Sequence, residues 1–235
     1  MKMDFKSDLP KICVPLVGED LQAVTEEIKS AGKLPIDLLE WRMDHFFGDP
    51  IKALPVIAKA AGELPLLCTL RSKTEGGLAE GDSRRLSEIV LQTIKSGECQ
   101  LVDIELSLGR RYVNELVNAA KECSVMTVIS KHDFEKTPPL NELLESFSEM
   151  NELGGDICKI AVMPLNRHDV LTLMEASLTA SGHIEHIAAI SMGEIGKISR
   201  VSSFGSCLTF AAGQQASAPG QISAVKIREI LKELG

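Results

Sequence analysis

Eight short apolar runs alternate with helix-like segments along the chain, and no other feature limits the fold so tightly. The runs are KICVPLV (11–17), IDLLEWRMD (36–44), PLLCTLR (65–71), LVDIEL (101–106), VMTVISKH (125–132), DICKIAVMP (156–164), HIAAISM (186–192) and SCLTFAA (206–212). Between them, residues 19–31, 50–61, 82–97, 109–122, 139–153, 166–180 and 221–234 space their apolar positions three or four apart, the helical period, whereas 195–202 has room only for a short turn. Strands alternating with helical crossovers form parallel sheets, and eight such units predict a closed (β/α)8 TIM barrel over residues 1–235 as a single domain. The main rival is a doubly wound open sheet, but no GxGxxG follows the first run and the eightfold count favours closure.

With 235 residues, 44% of them hydrophobic, the chain can bury one sizeable core. A net charge of −8 without a Lys/Arg run argues against nucleic acid or an anionic membrane as partner, because phosphate recognition is built on positive patches. A small-molecule substrate is expected instead. The opening stretch MKMDFKSDLPKICVPLV has no apolar run fit for a signal peptide or a membrane span, so a cytoplasmic location is expected. Cysteines at 13, 68, 99, 123, 158 and 207 lack CxxC or metal-type spacing and read as reduced core residues.

Lys159 breaks the apolar pattern of the sixth run. A buried ammonium costs several kcal/mol unless it is paired or neutral, so the strand needs either a partner for it or a reaction. Side chains alternate along a strand, and the apolar set must face the helices. In LLEWRMD this sends Leu39, Trp41 and Met43 outward and Glu40 and Arg42 into the barrel. The same parity puts Thr69 with Arg71, Asp103 with Glu105, Ser130 with His132, and Lys159 with Ile157, Ala161 and Met163 on the inside, leaving Cys158 and Ile160 outside. Each residue has a purely structural reading: Glu40 and Arg42 as an internal ion pair, His132 as a core histidine, Glu75 as a solvated loop acid, Asp103 and Glu105 as counter-ions. Asp133 points away from the His132 ring, and Glu75, just past the third run, is better placed to orient it. Convergence of acids, a histidine, two arginines and a lysine from five strand ends favours chemistry, since barrel enzymes build their sites at the C-terminal ends of the strands.

These residues stand in EWRMDHF, CTLRSKTEGG, DIEL, ISKHDFEKTP, GGDICKIAVMP, ISMGEIGKISRVSSFGS and ASAPGQI, an ordered set covering nearly the whole chain. The set resembles the type I 3-dehydroquinate dehydratases of the shikimate pathway. The resemblance implies a (β/α)8 fold, no metal or organic cofactor, and a homodimer. It implies that Lys159 forms a Schiff base, that His132 is the general acid and base, and that Glu75 holds the histidine. Glu40, Arg42 and Arg71 resemble the groups that receive the substrate hydroxyls, and Arg200, Ser217 and Gln221 those that take its carboxylate and close over it. Two positions depart from the family: Lys131 where Asn often precedes the histidine, adding a cation near the strand end, and Cys158 where Pro often precedes the lysine. A ketone condensed with an amine becomes an iminium, a better electron sink for the carbanion that dehydration requires. A histidine titrating near neutrality can remove that proton and later protonate the leaving hydroxyl. Two rivals remain: a Schiff-base aldolase, which would need a phosphate nest after the last two strands, and a non-catalytic metabolite-binding barrel, which would have no use for both lysine and histidine.

Overall fold

The computed structural model describes residues 4–5, 9–202, 204–213 and 218–234. Its strands are β1 (Lys11–Leu16), β2 (Leu38–Arg42), β3 (Leu66–Thr69), β4 (Leu101–Glu105), β5 (Met126–Asp133), β6 (Ile157–Val162), β7 (Ile187–Ser191) and β8 (Leu208–Phe210). The helices are α1 (Leu21–Ala31), α2 (Pro50–Ala61), α3 (Ser83–Ser96), α4 (Arg110–Cys123), α5 (Leu140–Glu152), α6 (Arg167–Ser181) and α7 (Ala224–Leu234). After β7 there is only a 3-10 turn, Lys197–Arg200, where the sequence allowed a short helical turn. Every ladder is parallel, in the order β7-β6-β5-β4-β3-β2-β1-β8. The β7–β8 seam is a single bridge between Ile187 and Ser206, because β8 is only three residues long. The fold is the expected TIM barrel, nearly closed.

Parity assigns the two faces as read from the sequence. Leu39, Trp41, Cys68, Ile104, Ile129, Cys158 and Ile160 belong to the layer between sheet and helices. Leu38, Leu67, Leu101, Val128, Ile157 and Leu208 fill the lower barrel interior. Burying each such aliphatic side chain contributes about 1.5–3 kcal/mol, so a one-residue slip of register would be heavily penalised. Higher in the barrel the inward positions turn polar, and the apolar plug below becomes the floor of a site.

Several strands stop short of the apolar run. The run 36–44 leaves the ladder at Arg42 because Met43–His45 tightens into a 3-10 turn, and the run 65–71 leaves it after Thr69. Side chains then take over the freed backbone: the Arg71 and Leu78 N–H groups donate to Asp44, and the Ser72 N–H donates to Glu105. The Cys13, Cys68, Cys99 and Cys158 thiols are buried as expected; Cys207 is half-buried, and Cys123 at the end of α4 is exposed, contrary to the core reading.

Candidate active site

Glu75 reaches the barrel mouth through a local backbone device. After β3 the chain folds through the 3-10 turn Lys73–Glu75, and Gly76 follows with φ of +79°, a left-handed conformation that glycine adopts without strain. A β-carbon on Gly76 would come within 2.3 Å of the Phe134 ring, and one on Gly77 within 2.1 Å of the Arg71 carbonyl. The two glycines of RSKTEGG therefore let the loop fold tightly enough to turn Glu75 inward.

There Glu75 Oε2 accepts hydrogen bonds from the His132 backbone N–H at 3.0 Å and lies 2.9 Å from His132 Nδ1. Burial pushes the Glu75 carboxyl up to about 7; Arg71 opposes the rise, and Glu105 and Asp103 add to it. Burial and the charges of Arg71, Lys159 and Arg42 push the His132 imidazole well below its usual value. The ring is thus neutral, and with Glu75 ionised the bond requires its proton on Nδ1. That leaves the Nε2 lone pair as the available base.

Lys159 lies on the neighbouring strand, where Ser130 is level with Lys159 and His132 with Ala161. The histidine thus sits two residues, about 6.6 Å, nearer the barrel mouth than the lysine. The amine is 3.5 Å from Asp103 Oδ2, 3.9 Å from Glu40 Oε1 and 4.1 Å from the centroid of the Phe210 ring. These are contacts longer than an ordinary hydrogen bond. The Phe210 ring of β8, two strands on from β6 past β7, covers the amine, and the inward parity of β8 was the signal that could have revealed it.

At the cavity wall, Arg71 is enclosed by acids: Asp103 at 2.8 Å, Glu105 at 2.9 Å and Glu75 at 3.4 Å, with Ser130 at 3.0 Å. Burial alone would lower its pKa, but Asp103, Glu105 and Glu75 hold it above the usual value. Burial likewise would raise Asp103, yet Arg71 and Lys159 keep it below the usual carboxylate range.

The internal Glu40–Arg42 pair weighed from sequence does not form. Glu40 accepts instead from Thr69 Oγ1 at 2.8 Å, while Arg42 donates twice to Asp44, from Nε and Nη2 at 2.8 Å each. Asp44 went unnoticed in the sequence. Burial would raise its pKa, but the bonds and charge of Arg42 hold it low. The Lys131 ammonium also leaves the cavity: its Nζ donates to Ser146 of α5 at 3.0 Å, as the outward parity of its position requires. The departure from the family pattern therefore puts no charge in the site, and Cys158 packs among the helices as expected.

Arg200 sits in the 3-10 turn after β7, with 1% of its surface exposed. Its guanidinium donates to the carbonyls of Phe210 at 3.0 Å and Pro219 at 3.1 Å, and its Nε has no hydrogen-bond partner among the described residues. No carboxylate of the described residues pairs with it, and burial pulls its pKa down to about 10. Glu40, Arg42, Arg71, Glu75, His132, Lys159, Arg200 and Gln221 all line one cavity at the C-terminal mouth of the barrel. Ser217 lies outside the described residues.

Fold and site together define a (β/α)8 barrel of the Schiff-base class: a buried amine, a histidine–carboxylate pair and a buried guanidinium share one cavity. Comparison with known proteins narrows the class. Residues 12–235 match the family model of type I 3-dehydroquinase, and the chain belongs to that family. The 3-dehydroquinate dehydratase of Syntrophotalea carbinolica is 41% identical over 98% of this chain and 94% of its own. The crystal structure of the type I 3-dehydroquinate dehydratase from Clostridium difficile, with covalently modified comenic acid, superposes with a TM-score of 0.92 at 36% identity. It covers 97% of this chain and 93% of that one. The enzyme from Enterococcus faecalis gives a TM-score of 0.87 at 33% identity, over 96% and 94% of the two chains. No described helix is long and apolar enough to cross a membrane.

Proposed function

We propose that this chain, working as one catalytic domain over residues 1–235, dehydrates 3-dehydroquinate to 3-dehydroshikimate through an imine on Lys159. The observation that carries the reading is the shared cavity, in which the Lys159 amine lies below the His132–Glu75 pair. Lys159 gives up a proton to His132 and its amine attacks the substrate ketone; the proton returns to the carbinolamine hydroxyl, which leaves as water and gives an iminium. His132 Nε2 then takes the proton from the adjacent carbon, and the electron pair moves into an enamine. The enamine expels the neighbouring hydroxyl, which leaves as water with the proton that His132 returns. Hydrolysis of the remaining iminium releases the unsaturated ketone and restores the amine.

Glu75 keeps the His132 ring in the tautomer that exposes Nε2. Arg200 receives the carboxylate, supported by its Nε having no hydrogen-bond partner among the described residues, because a guanidinium fork binds a carboxylate with two parallel bonds. Glu40, Arg42 and Arg71 place the hydroxyls, and Gln221 and Ser217 close over the carboxylate. The free thiols fit a reducing compartment, so we assign the enzyme to the cytoplasm. We also assign a homodimer. Exposed Leu171 and Leu178, on one face of α6, and the nearby Phe204 support a covered surface there.

Borohydride trapping tests the mechanism. Enzyme, dehydroquinate and borohydride together should give a stable secondary amine on the peptide containing Lys159, read by mass spectrometry, and Lys159→Met should abolish it. Turnover without any adduct, or wild-type turnover in the Met variant, would refute the imine.

A further inference from the structure

Oε1 of Glu75, the oxygen that His132 does not use, has its own hydrogen-bond donor. Ser107 lies in the 3-10 turn Leu106–Leu108, directly after β4, and its hydroxyl donates to Oε1 at 2.6 Å. Among the described residues it is the hydrogen-bond donor to that atom, whereas Oε2 takes the His132 backbone N–H, Nδ1 and a long contact from Arg71. The turn itself is fixed: the Gly109 N–H donates to Leu106 O at 3.1 Å, and Gly109 has φ of +91°. Ser107 is exposed on the outer side of the cluster and belongs to no apolar core group. No sequence motif pointed to it.

We propose that Ser107 is a positioning residue of the reaction, pinning the Glu75 carboxylate so that its second oxygen holds His132 in the base-competent tautomer. This inference rests on the dehydration proposed above. A carboxylate gripped at only one oxygen can rotate about its terminal torsion, which is broad and soft. Glu75 comes from the β3 loop and His132 from β5, so no shared element fixes their relative orientation. Ser107, arriving from β4 between them, supplies a third point of attachment.

The charged groups around Glu75 make that bond matter. Arg71 faces it from the end of β3, Glu105 and Asp103 from β4, His132 from β5, and Lys159 lies beyond on β6. The acids and burial favour the protonated carboxyl, while Arg71 and the Ser107 hydroxyl favour the ionised form. Loss of the hydroxyl therefore moves the carboxyl further up, and a larger share of the enzyme at neutral pH has a protonated Glu75 that no longer accepts the Nδ1 proton.

Ser107→Ala, in the whole enzyme with dehydroquinate as substrate, should lower kcat about 3- to 10-fold with little change in KM. It should also shift the acid limb of kcat/KM upward by about 0.5–1 pH unit, as expected for one lost hydrogen bond to a charged group. Ser107→Thr, which keeps the hydroxyl, should restore both. NMR titration of the His132 ring reads the same coupling without turnover and should show a matching displacement in the Ala variant. An unmoved limb with an unmoved His132 titration, or a loss that Thr does not restore, overturns the assignment. If the wild type fails to turn over dehydroquinate, the proposed function falls, while the NMR comparison still decides the role of Ser107.

Discussion

Glu75→Gln should stabilise the protein while damaging it as an enzyme, and the size of the gain follows from the site. Burial pushes the carboxyl up to about 7 from an ordinary value of 4.5, so its ionised form is disfavoured by burial and by neighbouring acids more than Arg71 favours it. At about 1.4 kcal/mol per pH unit, that interval corresponds to about 3 kcal/mol of stability withheld from the native state above pH 7. The sign is fixed by linkage. A carboxyl with a raised folded-state pKa binds its proton in the native state first, so the wild type gains stability as pH falls from about 7 to 4.5. Glutamine fits the same bonds, its carbonyl replacing Oε2 before His132 and its amide donating to the Ser107 oxygen. Denaturant unfolding should show the variant more stable by about 2–3 kcal/mol at pH 8, narrowing to about zero at pH 4.5, which in a domain this size is several degrees in Tm. Activity should fall, since an amide cannot stabilise the imidazolium formed when His132 takes the proton. A variant less stable than the wild type at pH 8, or a difference that does not vary with pH, would refute the argument that burial dominates at Glu75.

His132→Ala should cost far more activity than Glu75→Gln, and the double variant should be little worse than His132→Ala alone, because the two act as a unit; additive losses in kcat would separate them. Arg200→Lys keeps a charge but loses the planar fork, so kcat/KM should drop by about 1–3 kcal/mol, a factor of about 5 to 150, in steady-state assays. Asp44→Asn leaves the Arg42 guanidinium without its bidentate partner in a mostly buried position. It should destabilise the fold by about 2–4 kcal/mol in denaturant unfolding, with the loss disappearing in acid as wild-type Asp44, held low by Arg42, is itself protonated.

Much of the barrel and its site could be read from the chain because both depend on short-range rules. Alternation along a strand is geometric, so once Trp41 and Leu39 must face the helices, Glu40 and Arg42 have no choice but the interior. The same rule brought Arg71, Asp103, Glu105, His132 and Lys159 to one cavity region and sent Lys131 out to Ser146. Which of the gathered groups touch one another was a different matter. Arg42 chose Asp44 over Glu40 because Met43–His45 curls into a tight turn that brings a residue two positions away into bidentate range. Arg71 became the counter-ion to three acids, and Ser107 met Glu75 across 32 positions of chain. Those pairings depend on loop conformation and on competition for charge in a buried space, where side chains from different strands settle at distances no sequence spacing encodes. The pattern of residues determined what the barrel mouth contains; only the packed loops above it decided that Glu75 holds His132 and that Arg200 donates to the Phe210 and Pro219 carbonyls.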